Sequence, residues 1–307
     1  MPSNLQRSES EGVGLADWVW RAMAGPGLIW LVLLFLVPFY AILAVAMGRL
    51  DPIFLRPQPE WNPLRWDTGP LGEVLGDVFS GQLGTIALRT IGYVVVASFL
   101  CVLIGYPVAY FVARRAGPRK NLYLLLILAP FWINYLMRML AWVNLLSNDG
   151  MINQAFETVG ISAQNWLGGR ASTVILGLTY GYLPFFILPL YAALDRIDNQ
   201  VLEAARDLGA GAGSAFFRVT LPLSKQGILA GLVIVMLPMF GDYYTPNLLS
   251  GSPRTRLIGN QIDLLLNQTS SQGRQGAALT LVLMAAVAVL MIYYLYNVSR
   301  AAREARP

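Results

Sequence analysis

Six stretches of this 307-residue chain, at about 27–48, 88–112, 122–146, 173–194, 226–248 and 277–298, are apolar for some 20 residues or more each. A 20-residue helix is about 30 Å long, the thickness of the hydrocarbon core of a bilayer. Lipid offers no hydrogen bonds, so a spanning segment must satisfy its own backbone, and an open chain does so only as helix. The expected fold class is therefore all-α: a polytopic membrane protein with six transmembrane helices. Only 13% of the residues are charged, about half the share of an ordinary soluble domain, so much of the surface has lipid as its solvent. Pro38, Pro107, Pro130, Pro184, Pro189, Pro238 and Pro246 fall in these stretches, which suits a packed bundle whose neighbouring helices re-satisfy freed carbonyls. The expected organisation is a tail over 1–26, a transmembrane domain over 27–298 and a second tail over 299–307. Ala44-Val45-Ala46 imitates a cleavage site, but the preceding run exceeds a signal-peptide core, so the first span is read as retained.

Basic residues set the orientation. Arg7 and Arg21, then Arg114, Arg115, Arg119 and Lys120, then Arg196, Arg206, Arg218 and Lys225, then Arg300, Arg303 and Arg306 all fall on one side. The opposite loops carry Asp51, Glu60, Asp67, Glu73 and Asp77. Both termini are thus expected in the cytoplasm, and the net charge of +5 needs no nucleic acid. Trp61, Trp66 and Trp166 are expected as interfacial anchors in external loops. The longest of those loops, 50–82, is rich in Pro, Trp and acids and is a candidate docking segment, lid or spacer. With no histidine and a single cysteine, Cys101, in an apolar run, histidine catalysis, histidine metal sites and an intramolecular disulfide are excluded. No H-E-x-x-H, G-x-S-x-G or pair of mid-membrane aspartates supports an intramembrane enzyme.

The loop over about 195–222 contains Glu203 to Pro222, EAARDLGAGAGSAFFRVTLP. Its start, 201–208, is expected as a short exposed helix on which Glu203, Arg206 and Asp207 share a face. Ala204 and Ala205 are small enough for close approach by a partner. Gly209 and the Gly211–Gly213 run permit a turn, Phe216, Phe217 and Val219 offer apolar anchors, and Pro222 suits the first turn of the next membrane helix.

Glu203-Ala204-Ala205, Gly209, Val219 and Leu221-Pro222 resemble the cytoplasmic loop EAA-x3-G-x9-I-x-LP of ABC-importer permeases, departing only in Val219 for Ile. The resemblance implies a type I ABC-importer permease fold in a bacterial inner membrane. In that family the loop helix docks into a cleft of the ATPase. The implied coupling residues are Glu203, Ala204, Ala205, Gly209, Leu221 and Pro222, with Arg206 and Asp207 as polar neighbours. The chain has no G-x4-GK[ST] phosphate loop, so ATP and Mg are expected on a separate subunit and no cofactor on this one. Implied partners are a second homologous permease, two ATP-binding subunits and an extracytoplasmic substrate-binding protein. Further segments are similar to the spermidine/putrescine (polyamine) branch, in particular to the first of its two paired permeases. They include Gly105-Tyr106-Pro107, Pro130-Phe131-Trp132, Tyr182-Leu183-Pro184-Phe185 and Gly241-Asp242 before Tyr243-Tyr244-Thr245-Pro246. The resemblance runs from about residue 83 to 298.

For the substrate pathway, Arg138 inside the third span costs about 2.5–3.5 kcal/mol on insertion scales and so is expected to face the bundle interior, a water-filled cavity or an acidic partner. Asp242, followed by Tyr243 and Tyr244, combines a carboxylate with aromatic rings, the chemistry that receives an organic cation. The competing reading of Asp242 is an ion pair with Arg138 that holds two helices in register. Trp132, Tyr135 and Tyr182 are further pathway candidates. Two other functions stay open at this point. One is an importer permease for another small solute, such as an amino-acid derivative, a sulfonate or an iron chelate. The other is an ion-coupled secondary transporter.

Overall fold

The computed structural model describes residues 13–54, 56–267 and 272–304. The outermost parts of both expected tails, with Arg7 and Arg306, lie outside the described residues. Four helices are long and apolar enough to cross a membrane unaided, and two bent helix pairs raise the number to six. The unbroken ones are α1 (Val13–Ala46), α3 (Gln82–Arg114), α7 (Ala171–Asp195) and α14 (Gly273–Glu304). Pro38, Pro107, Pro184 and Pro189 all lie inside continuous helix. Between α1 and α3, a two-residue ladder pairs β1 (Arg49–Leu50) with β2 (Pro57–Gln58), and α2 (Gly69–Ser80) follows. The long loop over 50–82 thus carries structure of its own. Pro70 at the start of α2, where a missing N–H costs nothing, is the local signal for that helix.

The expected continuous helix over 122–146 is instead broken. It is α4 (Lys120–Leu128), a tight turn over Ala129–Trp132, α5 (Tyr135–Leu146) and α6 (Met151–Thr158), with an 86° bend between the two limbs. Pro130 cannot donate to the helix, and Asn134 restarts it by accepting the Leu136 N–H at 2.9 Å. After α8 (Asn199–Asp207), the other bent pair runs through α9 (Ala212–Ala215), a π-helical segment over Phe216–Thr220, α10 (Leu221–Leu223) and α11 (Lys225–Phe240), with a bend of 59° at Ser224. The run expected over 226–248 also stops early. Gly241, Asp242 and Tyr243 interrupt it before α12 (Tyr244–Leu249), and α13 (Ile258–Asn267) precedes α14.

Between lipid-solvated helices no hydrophobic drive exists, so close packing of small residues has to hold the bundle. The central joint shows this. Phe186 of α7 is fully buried between α3 and α11. A Cβ on Gly105 of α3 would lie 2.7 Å from its ring, and one on Gly231 of α11 would lie 2.8 Å from the other edge. Cys101 is buried in the same cluster, with its thiol against the Thr179 carbonyl at 3.7 Å. A second cluster joins the end of α1 to α2, α13 and the start of α14. There Arg274 donates to Asp67 at 2.7 Å and ties the 50–82 segment to α14. Tyr40 packs between Trp61 and Trp66, with ring centroids 6.0 Å from each. Residues 23–37 of α1 and 289–296 of α14 turn mostly bare apolar side chains outward, among them Trp30, Phe35 and Tyr293.

Candidate functional site

The loop over 195–222 carries a short exposed helix held at its start by α3. Asp198 caps α8 by accepting the Gln200 N–H at 2.9 Å. The helix runs Asn199–Asp207, close to the expected 201–208. Gly209 ends it with φ +84°, and the Gly209 and Ala210 N–H groups close back onto Arg206 and Ala205 at 2.8 and 3.0 Å. Nothing stands within 4 Å of a Cβ built there, so the glycine is required for its backbone angle and not for space. Glu203, Ala204, Arg206 and Asp207 are exposed and Ala205 is half-buried. Leu208 is 89% exposed and Phe217 67%, so the loop presents apolar side chains beside its charges.

The mount is α3. Arg114 donates to Asn199 Oδ1 at 2.8 Å and to the Ile197 carbonyl at 2.7 Å. Lys120 pairs with Asp195 at 3.2 Å. Phe216 meets Tyr106 and Tyr110 of α3 edge to face, at 5.5 and 5.7 Å. The buried Tyr106 hydroxyl bonds Ser224 at 2.9 Å, at the bend that opens α11. Leu221 packs against the central cluster, whereas Pro222 is the second residue of short α10 and precedes the membrane helix instead of opening it. α8 is thus linked to the α3–α7–α11 joint through side chains in contact.

The second region surrounds Asp242. Its side chain is 6% exposed. Oδ1 accepts the Thr245 N–H at 3.0 Å, and Oδ2 accepts hydroxyls from Thr245 at 2.6 Å, Tyr135 at 2.9 Å and Tyr182 at 3.3 Å. Tyr135 comes from α5 and Tyr182 from α7, so one carboxylate gathers three elements. Gly181 makes the approach possible, since a Cβ there would stand 2.9 Å from the Tyr135 ring and hydroxyl.

Arg138 does not pair with Asp242. It is 8% exposed, and its guanidinium carbon lies 4.0 Å from the Phe131 ring centroid, 5.3 Å from Tyr135 and 6.0 Å from Tyr180. Its Nε and Nη1 are buried without a hydrogen-bond partner. The ion-pair reading is therefore overturned. Tyr135, one turn before Arg138, offers its ring face to the cation and its hydroxyl to Asp242, so the two charges share a neighbour and not a bond. Aromatic faces supply the attraction a carboxylate was expected to give.

Tyr243 and Tyr244 stack on each other at 4.0 Å, with Tyr244 42% exposed. Trp132 is 80% exposed in the turn before α5. The hydrogen bonds to Asp242 come from Tyr135, Tyr182 and Thr245 instead of these three. Thr245 was legible as a partner, because an Asp three residues before it, at a helix start, is a capping pattern. No group of three metal-ligating side chains forms among the described residues.

Four membrane-length helices and two bent pairs, packed on an apolar central joint, define an α-helical membrane protein. Residues 102–304, well over half of the chain, match the family of binding-protein-dependent transport system inner membrane components, and the chain belongs to that family. It is similar to the spermidine/putrescine transport system permease protein PotB of Haemophilus influenzae, with 34% identity over 271 residues that cover 87% of this chain and 90% of that one. It shares 38% identity over 178 residues with the Escherichia coli PotB, covering 58% of this chain and 64% of that one. The fold is that of a chain in the crystal structure of a bacterial alginate ABC transporter in complex with an alginate pentasaccharide-bound periplasmic protein. The TM-score is 0.70, covering 97% and 98% of the two chains at 18% identity. The protein is thus an inner-membrane permease subunit of an ABC importer, which works with an ATPase and a substrate-binding protein. The ion-coupled alternative is set aside.

Proposed function

We propose that this chain forms half of the translocation pathway of an ATP-driven polyamine importer, with putrescine or spermidine as cargo. The names of its PotB relatives support that substrate class. The observation at the site that carries it is Asp242, a buried carboxylate held by hydroxyls and, among the described residues, by no cation. An arriving ammonium group gives this carboxylate a charged donor in place of neutral hydroxyls, with aromatic side chains beside it. Arg138 stays compatible with a cationic cargo because Phe131, Tyr135 and Tyr180 screen it.

In this reading both termini and the 195–222 loop are cytoplasmic. A second, homologous permease completes the pathway, and two ATP-binding subunits carry ATP and Mg. Glu203, Ala204, Ala205 and Gly209 seat α8 in an ATPase cleft, with Arg206 and Asp207 as polar neighbours and Leu208 and Phe217 as apolar contacts. Closure of the ATPases moves α8, and the Arg114, Phe216 and Tyr106 contacts pass the movement to α3 and α11. The loaded binding protein docks on the opposite face.

The test is ATP hydrolysis by the complete complex in proteoliposomes, with its binding protein and a panel of solutes. Stimulation by putrescine or spermidine, and not by amino acids or anions, is expected. Stimulation by another solute alone keeps the importer and removes the polyamine.

A further inference from the structure

Two concavities lie end to end along α3 and α4. The first is an apolar groove of about 500 Å³. Pro107, Val108 and Phe111 of α3 form one wall, and Tyr123, Leu126 and Ile127 of α4 form the other. Phe111 and Tyr123 meet across it, edge to face at 5.4 Å. Phe111 is 45% and Leu126 58% exposed, so the groove opens outward and not into the bundle. The second is a polar pocket of about 570 Å³ at the basic end of the same two helices, lined by Arg114, Lys120, Asp195, Arg196, Asp198 and Asn199 among others. Val112 lines the groove and the next residue, Ala113, lines the pocket, so the two concavities neighbour one another at this point of α3.

The charge in and around the pocket is lopsided. Its lining sets the cations Arg114, Lys120 and Arg196 against the carboxylates Asp195 and Asp198, and Arg115 and Arg119 add charge beside it in sequence. Among the described residues Lys120 alone of these cations has a carboxylate partner. Arg114 spends its Nη atoms on Asn199 and Ile197, and its Nε is buried without a hydrogen bond. An apolar slot that leads into a basic pocket at the membrane edge matches one kind of molecule, an amphiphile with a negative head and a hydrocarbon tail. We infer that this is a binding site for an anionic glycerophospholipid of the inner leaflet. One acyl chain lies in the Pro107–Ile127 groove, and the phosphate sits among Arg114, Lys120 and Arg196. The site adjoins Asn199 at the start of α8, so the bound lipid braces the mount of the coupling loop. This rests on the membrane orientation proposed above and not on the identity of the cargo. Failure of polyamine stimulation therefore leaves it untouched.

The test uses the complete complex, delipidated in detergent and exposed to phosphatidylglycerol or phosphatidylcholine, with retained lipid counted by native mass spectrometry. The wild type is expected to retain phosphatidylglycerol preferentially. Arg196→Ala, at an exposed position that folding tolerates, is expected to lower that preference about fivefold, and Arg196→Lys to preserve it. Val108→Trp, which fills the slot, is expected to reduce retention of both lipids. If that variant fails to assemble, a photo-crosslinker at Leu126 replaces it, and capture of acyl chain is the expected result. Equal retention of the two lipids, an unchanged preference in Arg196→Ala, or capture of the second permease at Leu126 overturns the assignment.

Discussion

Gly105→Ala adds one methyl group and tests the joint on which the whole bundle turns. The new Cβ would stand 2.7 Å from Phe186 Cδ1 and 3.3 Å from Ile187 Cγ1, against about 3.5–4.0 Å for an ordinary carbon contact. The ring would have to retreat by about 1 Å to restore such a contact. It has nowhere to go, because its other edge rests on α11 at Gly231, where an added Cβ would meet it at 2.8 Å. Overpacking of this kind costs about 1–3 kcal/mol. Alanine also gains about 0.8–1.0 kcal/mol over glycine inside a helix, so the net loss is about 0–2 kcal/mol. That single number decides little, and the double-mutant cycle decides more. Phe186→Leu alone costs on the order of 1 kcal/mol, but with the ring gone Gly105→Ala keeps its helix gain without the clash. The double variant should therefore be more stable than the sum of the singles by about 1–3 kcal/mol. Unfolding of the purified permease in mixed micelles, followed by tryptophan fluorescence, reads this directly. A cycle that closes to within about 0.5 kcal/mol would show that Phe186 is not wedged between α3 and α11.

Three further outcomes follow from other contacts. Glu203→Lys reverses a charge on the exposed face of α8 and is expected to cut ATP-driven uptake at least about tenfold, with the affinity of the binding protein unchanged; unimpaired uptake removes Glu203 from the coupling role. Tyr135→Phe removes one hydroxyl from Asp242 and should destabilise the complex by about 1.5–3 kcal/mol in a thermal scan. Tyr135→Ala should cost more, because Arg138 also loses a ring face; equal losses argue against that shared role. At the outer clasp, the Gly69 N–H first and the Arg274 guanidinium second hold the Asp67 carboxyl below its ordinary value. Since the folded value is the lower one, the clasp contributes fully above about pH 3.9 and is lost as pH falls through the depressed value. A distance between labels at Leu64 and Gln275 should stay fixed from neutral pH down to that range and lengthen only below it. Lengthening near pH 6 contradicts the assignment.

Hydropathy alone pointed to the four unbroken membrane-length helices and to the two bent pairs, since a run of 20 apolar residues is a one-dimensional property. The breaks were less legible because they depend on what surrounds the chain. Pro38, Pro107, Pro184 and Pro189 sit in unbroken helix, whereas Pro130 coincides with an 86° bend. The difference was readable in part, for Asn134 restarts the helix after Pro130 with a side-chain cap. The start of the Glu203–Pro222 loop was legible, because a short exposed helix and a positive-φ glycine are local; the π-helical turn over Phe216–Thr220 and the place of Pro222 before the membrane helix were not. Arg138 was not. Its setting is assembled from Phe131, Tyr135 and Tyr180 on separate elements, and no spacing in the sequence announces a cage of rings in place of a carboxylate. The hydroxyl cluster on Asp242 likewise needs α5, α7 and α12 to converge.

The central claim is that a polyamine passes Asp242 under the drive of ATP. ATP-dependent uptake of labelled putrescine into proteoliposomes, by the complete complex and by its Asp242→Asn variant, tests it most directly. Accumulation is expected by the wild type only with ATP and binding protein, with a loss of about tenfold or more in the variant, the worth of one charge-assisted contact. Uptake by Asp242→Asn at the wild-type rate, or accumulation of an anion in place of putrescine, would contradict it.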